Sequence, residues 1–252
     1  MGAKTGILAF WDGDLVGRLR RRPVADAGLT RALVERILPG YRVEPIDGCP
    51  LDEATYPPDD IMYALSVPGL DIACDQRLMH LQPSELPGHL LRLGDGRHGA
   101  LHAMHSVSDY LTYATWAGGV LTRSLSLSPD GGIVENIGEP LPFEATYWAG
   151  EHPVEHVPGW PVEGPYPLPF HPLDLGEDAL RHLYGFILEG RHLDDDVPAR
   201  EIGLLGFRVT DPTGAEQARR EATYREALAK MGRPRTFRYT ADGTLVEITP
   251  TR

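Results

Sequence analysis

The side chains best suited to chemistry lie between His98 and His152. His98, His102 and His105 come first, then Asp109, then Arg123, and Glu135, Glu139, Glu144 and Glu151 punctuate aromatic, Pro-rich sequence up to His152. Imidazoles and close carboxylate pairs are the groups that move protons in catalysis, which makes His105, Asp109, Glu135 and Glu144 the catalytic candidates. Capping of exposed backbone N–H groups is a sufficient alternative reason for the carboxylates. Metal binding needs roughly three or four converging ligands, commonly steadied by an acidic partner. His98, His102 and His152 would supply them, but neither HExxH nor CxxC spacing occurs. The sequence therefore predicts no metal and no other cofactor, and the histidines read first as satisfied surface or edge residues. On a strand, His98 and His102 project together and His105 opposes them.

Arg123 poses the sharpest question. Ser108–Trp116 and Val120–Ser128 are β-rich segments joined at Ala117-Gly118-Gly119, a turn signal for a hairpin. With a two-residue turn, Tyr110, Thr112, Ala114, Trp116, Leu121, Arg123, Leu125 and Leu127 share one face. Asp109, Leu111, Tyr113, Thr115, Ser124, Ser126 and Ser128 share the other. The first face is the more apolar, so its guanidinium must be paired. Either Arg123 binds an anionic ligand between Tyr110 and Trp116, with Trp148 as a further ligand contact, or it bridges to Glu135, Glu139 or Glu144. A three-residue turn would exchange the faces.

Other motifs are missing. There is no GxSxG or GxGxxG, and Cys49 and Cys74 have no adjacent histidine. Gly2-Ala3-Lys4-Thr5 imitates the end of a phosphate loop without its preceding strand and glycines. Asp12 and Asp14 follow the first strand in WDGD, a place for ligand groups in α/β folds and equally an ordinary turn.

The elements that must position these residues follow from pattern. Thr5–Trp11 reads as a strand, Leu29–Leu38 as a helix stopped by Pro39-Gly40, Tyr41–Ile46 as a strand. Two short strands flank Pro68-Gly69, a helix is expected over Pro83–Leu93, and the hairpin continues into Ile133–Ile137. Through residue 106 this order allows a ferredoxin-like arrangement. Residues 138–172 carry nine prolines among Phe143, Tyr147, Trp148, Trp160, Tyr166, Leu168 and Phe170, and read as an extended strap across the body. Asp174–Gly190 and Thr213–Met231 read as helices begun by capping boxes, Glu201–Val209 as a strand, and Phe237–Ile248 as a hairpin turned at Ala241-Asp242-Gly243. The expected fold is α+β: a mixed, mostly antiparallel sheet with helices packed on one side and a Pro-rich strap. Residues 1–252 form one domain in this reading, with the sheet core at 1–137, the strap at 138–172 and the C-terminal helices and hairpin at 173–252.

A chain of 252 residues with net charge −12 excludes the basic face that nucleic acid requires. The one basic run, Arg18–Arg22, reads as a solvated stretch. No apolar run approaches the roughly 18–20 residues that span a bilayer, and the N-terminus carries no signal-peptide or myristoylation pattern. Two lone cysteines fit reduced thiols in the cytoplasm.

Three stretches add a resemblance: MGAKT at 1–5, RSLSLSPDGGIVENIGEPLPFEATYWAGEHPV at 123–154 and YPLPFHPLDLGEDALRHLYGF at 166–186. They resemble a domain-of-unknown-function family of bacterial proteins, mainly from high-GC Gram-positive species. The resemblance implies a cytoplasmic single-domain protein and brings no activity, cofactor or catalytic residue with it. The expected function is a binding or accessory protein that recognises a protein partner or an anionic small molecule. A hydrolase or transferase using the His and carboxylate groups of 98–152, and a structural subunit of an assembly, are the alternatives.

Overall fold

Lys4–Trp11 (β1) is apolar on both sides, with Thr5 through Phe10 all buried. A strand without alternation belongs in the middle of a sheet covered on both faces, and that is where the computed structural model puts it. The structure describes residues 2–154, 166–230, 236–239 and 245–248. The chain divides into two compact units, Met1–Thr210 and Asp211–Arg252, where the sequence reading has one domain.

The first unit follows β1 with α1 (Leu15–Arg20), α2 (Ala27–Ile37), β2 (Arg42–Pro50), α3 (Leu51–Ala54), β3 (Ile61–Val67), β4 (Leu70–Cys74) and α4 (Gly88–Leu91). Then come β5 (His98–His105), β6 (Tyr110–Ala117), β7 (Val120–Ser128), β8 (Gly132–Ile137), α5 (Ala145–Trp148), α6 (Pro172–Tyr184) and β9 (Gly203–Thr210). These strands form one nine-stranded sheet in the order β2-β9-β3-β4-β1-β5-β6-β7-β8, antiparallel at every pairing. The ferredoxin-like arrangement is therefore corrected, because β1 lies antiparallel to both β4 and β5 rather than beside a parallel crossover strand. β9 inserts between β2 and β3 and so belongs with the sheet core.

The α+β class is as expected, but the helices cover both faces. One core gathers Leu15, Leu19, Leu51, Met104, Leu111, Tyr113, Leu125, Leu127 and the buried side of α6. The other gathers Leu33, Val34 and Ile37 of α2 with Leu90 and Leu93 against Phe10, Leu101 and Trp116. Central strands buried on both sides leave no alternative, since each face must lose its water. Among the described residues no helix is long and apolar enough to cross a membrane.

Local chemistry explains most element ends. Asp14 accepts the Gly17 N–H to start α1, so the basic run at 18–22 begins as a capped helix. Asp26 accepts the Leu29 N–H at 2.8 Å to start α2. Replacing Asp26 with alanine removes that cap, and a urea titration should show a loss of about 1 kcal/mol. The Pro83–Leu93 stretch forms only the single turn of α4 between short 3-10 segments, because Pro83 and Pro87 interrupt it. The helix expected from Asp174 starts earlier and ends earlier. His171 is its N-cap, through Nδ1 and the Leu173 N–H, and Gly185 stops it at φ 81°. Glu177 serves instead as acceptor for the N–H groups of Leu188 and Glu189, which folds the following turn back on the helix.

Residues 155–165 of the strap, including Trp160, lie outside the described residues, as does the 241–243 turn. In the second unit Asp211 accepts the N–H groups of Thr213 and Glu216 and so caps α7 (Ala215–Lys230). Thr236–Tyr239 (β10) pairs antiparallel with Leu245–Ile248 (β11).

Candidate functional site

The hairpin that carries Arg123 turns at Gly118 and Gly119, both with positive φ (58° and 82°), a two-residue turn of the twist that suits antiparallel strands. The face assignment nevertheless fails. Trp116 pairs with Leu121, but Thr115 pairs with Arg123, so Thr122 is an extra residue that forms a bulge. One inserted residue moves every later side chain to the opposite face. Arg123, Leu125 and Leu127 therefore join Leu111 and Tyr113 beneath α6, while Tyr110, Thr112 and Trp116 share the opposite face with Ser124 and Ser126.

On that face Arg123 is fully enclosed. Its Nε donates to Glu144 Oε1 at 2.8 Å and its Nη2 to Oε2 at 2.6 Å. Nη1 donates to Asn136 Oδ1 at 2.6 Å and to the carbonyl of Ile137 at 3.0 Å. Glu144 is equally enclosed and accepts two further bonds, from the Leu141 N–H at 2.8 Å and from Trp148 Nε1 at 3.0 Å. Burial pushes the Glu144 carboxyl up, but Arg123, Trp148 and the Leu141 N–H outweigh it and hold the group below its usual range. The reading of Arg123, Tyr110, Trp116 and Trp148 as an anion site is corrected accordingly. The guanidinium meets a glutamate of its own chain, and Tyr110 and Trp116 are on the other side of the sheet. Trp148 is a partner of Glu144, and the bridge pins the strap to the sheet.

The catalytic candidates do not meet. His105 and Glu135 share the face opposite Glu144, but three strand spacings, about 14 Å, separate β5 from β8. Glu135 is taken by Ser84, through Oγ and N–H, and by the Ser124 hydroxyl. Asp109 adopts a left-handed φ of 45° and lies 3.6 Å from Nε2 of His171. Because Nδ1 of His171 accepts the Leu173 N–H, its neutral form carries the proton on Nε2, facing the carboxylate. Both nitrogens are committed, so His171 offers no free base.

The histidines proposed as ligands part in the same way. His102 is fully buried; its Nε2 lies 2.9 Å from the Gly176 carbonyl and its Nδ1 2.8 Å from the Thr5 hydroxyl. A carbonyl can only accept, so Nε2 holds the proton and Nδ1 accepts from Thr5, which in turn accepts the Met104 N–H at 2.9 Å. Gly176 makes this possible: a Cβ there would sit 3.1 Å from Met104 Sδ and 3.2 Å from Leu111 Cδ1. Burial lowers the His102 pKa from 6.5 to about 4. His98 is exposed and stacks on Trp11, and His152 stacks on Tyr147 with ring centroids 3.9 Å apart. His105 packs edge-on against Tyr56, its pKa lowered by burial and by Lys4. Among the described residues no three His, Cys, Asp or Glu side chains gather as a metal set.

What the structure does open is a cavity of about 380 Å³ between α6 and the 187–191 turn. Leu173, Ile187, Tyr147 and Ala3 supply its apolar wall, and Asp174, Glu177, Asp178 and Glu189 its carboxylates. Two arginines also line it, but Arg181 is held by Asp196 at 3.0 Å and by the Arg191 carbonyl at 2.7 Å. Tyr147 donates to Asp178 at 2.6 Å, and burial raises the Glu177 carboxyl pKa. Asp174 and Glu177, expected as helix caps, line this cavity instead. The signal was there in the spacing: residues 174, 177, 178 and 181 recur at intervals of three and four and share one side of a helix. A second signal is the charge run. Arg123 is the only Lys or Arg between Arg97 and Arg181, against eleven Asp and Glu, and Arg123 is buried in its own bridge.

No curated protein and no solved structure matches this chain. One family model does, over residues 5–207, which takes in every strand of the nine-stranded sheet in whole or in large part, the Arg123–Glu144 bridge and the α6 cavity. By that match the chain belongs to the family described as "Family of unknown function (DUF6928)".

Proposed function

We propose that this protein is a cytoplasmic binding protein whose ligand is cationic, a partner protein presenting a Lys or Arg side chain to the α6 cavity. The observation that carries this reading is the cavity itself, with four carboxylates around an apolar wall that suits the methylene stem of such a side chain. The charge of the surrounding chain supports it, since residues 98–180 expose carboxylates and bury their one guanidinium. Committed partners on His102, His171, Glu135 and Glu144 favour recognition over proton transfer. Free thiols at Cys49 and Cys74 support a reducing compartment, and burial raises the pKa of both. The resemblance to proteins of high-GC Gram-positive bacteria supports such a cell as its home.

The probe is Nα-acetylarginine amide, with Nα-acetylglutamate as the anionic control, followed by NMR titration. The arginine probe should shift resonances of α6 and of residues 187–191, and Asp174→Asn with Glu189→Gln should weaken it about tenfold, the worth of one charge-assisted hydrogen bond. Binding of the glutamate control with no response to the arginine probe would return the ligand to the anionic class.

A further inference from the structure

We infer that the outer edge of β8 is a second contact surface, taking an extended segment of a partner protein with apolar residues at its centre and Lys or Arg at both ends. The inference rests on the reading of this chain as a binding protein with a cationic partner, and it places a contact away from the α6 cavity.

The two edges of the sheet are built differently. β2 carries the devices that keep an edge strand from pairing: Pro45, exposed Glu44, and a register irregularity between Ile46 and Cys49. β8 has an irregularity of its own, where Val134 is the extra residue between the Ser126–Glu135 and Leu127–Ile133 pairs, but it has neither a Pro nor an exposed charge. Its sequence, GIVENI, has no Pro and no Lys, and no strand lies on its outer side among the described residues. Its polar side chains already have partners within the chain, buried Glu135 in Ser84 and Ser124 and the exposed Asn136 in Arg123. What remains outward is apolar: Ile133, Val134 and Ile137 are 46%, 40% and 42% exposed. That inverts the usual arrangement, in which an edge turns its charges to water.

The strand is also held still. Arg123 bonds the carbonyl of Ile137 and the side chain of Asn136, so the buried bridge to Glu144 also fixes the edge. A preorganised edge spends little entropy on accepting a partner strand.

Charge selects the occupant. Asp130 and Glu139 are exposed just beyond the two ends of β8, and no exposed Lys or Arg occurs among the described residues of 98–180. A second copy of the chain would set carboxylates against carboxylates, which is repulsive. A segment with an apolar core of about six residues, the length of β8, and basic ends meets both acids whichever way it runs.

Two fluorescent peptides test this by anisotropy: KRTVTVTVKR and its acid-ended analogue DETVTVTVED. The basic-ended peptide should bind at least tenfold more tightly and lose that preference at high salt. Val134→Lys and Ile137→Lys, both at exposed positions, should each weaken it tenfold or more with an unchanged melting temperature. Equal binding of both peptides, binding of neither, or indifference to Val134→Lys overturns the proposal. So does a dimer in solution whose β8 amides are protected from exchange, since a second copy would then hold the edge. Asp174→Asn with Glu189→Gln should leave peptide affinity within about twofold. If that pair abolishes binding and Val134→Lys does not, the partner sits at α6 alone, and β8 fails while the cationic-ligand reading stands.

Discussion

Replacing Glu144 with alanine should cost about 3–5 kcal/mol of stability, the largest single effect expected in this chain. The cost comes less from the lost bridge than from what is left behind. Arg123 has no exposure, so its guanidinium cannot return to water without opening the strap. The Leu141 N–H and Trp148 Nε1 lose their acceptor in the same step. Arg123→Met should be nearly as costly, since it strands the Glu144 carboxylate. The double variant Arg123→Met with Glu144→Leu should fall well short of the sum of the two, because apolar groups of similar volume remove both charges together. Urea titrations of the four proteins measure the difference. A double variant as costly as the sum would mean that the two residues act independently, against the bidentate geometry.

Acidification from pH 7 to pH 5 should cost about 2 kcal/mol through His102 alone. Its folded pKa of about 4 lies below the ordinary 6.5, so the unfolded chain takes up this proton first. Stability from this group is complete above pH 6.5, falls as the unfolded state protonates, and is spent near pH 4, where the native state protonates too. The full swing is about 3 kcal/mol. His102→Gln keeps one donor for the Gly176 carbonyl and one acceptor for Thr5 while removing the titration. Denaturant midpoints of both proteins at pH 7 and pH 5 should show a slope in the parent that the variant lacks. Equal slopes would assign the acid sensitivity to other histidines, beginning with His80 and His182, whose pKa burial also lowers, since the lowered pKa of Glu144 withdraws stability only below the ordinary carboxylate range.

Both effects start from residues that the sequence already marks out, and both depend on placements that it does not. Arg123 as a cation needing a partner, His98 and His102 as strand neighbours on one side, the hairpin with its two-glycine turn and the α+β class all follow from residue type and period. These are local properties: alternation, turn chemistry and the cost of burying charge act over a few residues. Which face Arg123 occupies depended on the extra residue at Thr122, and a bulge has no strong signature when the inserted residue is itself β-prone. Which of Glu135, Glu139 and Glu144 it meets depended on how the strap returns over the sheet. The insertion of β9 between β2 and β3 arises from pairings more than a hundred residues apart, and the cover of helices on both faces from packing between elements distant in sequence, which no periodicity records. The α6 cavity shows both sides of the matter. Three of its four carboxylates were legible as one side of a helix, but Glu189 and the wall that makes them a site come from Tyr147 and the 187–191 turn, and only tertiary packing brings those there.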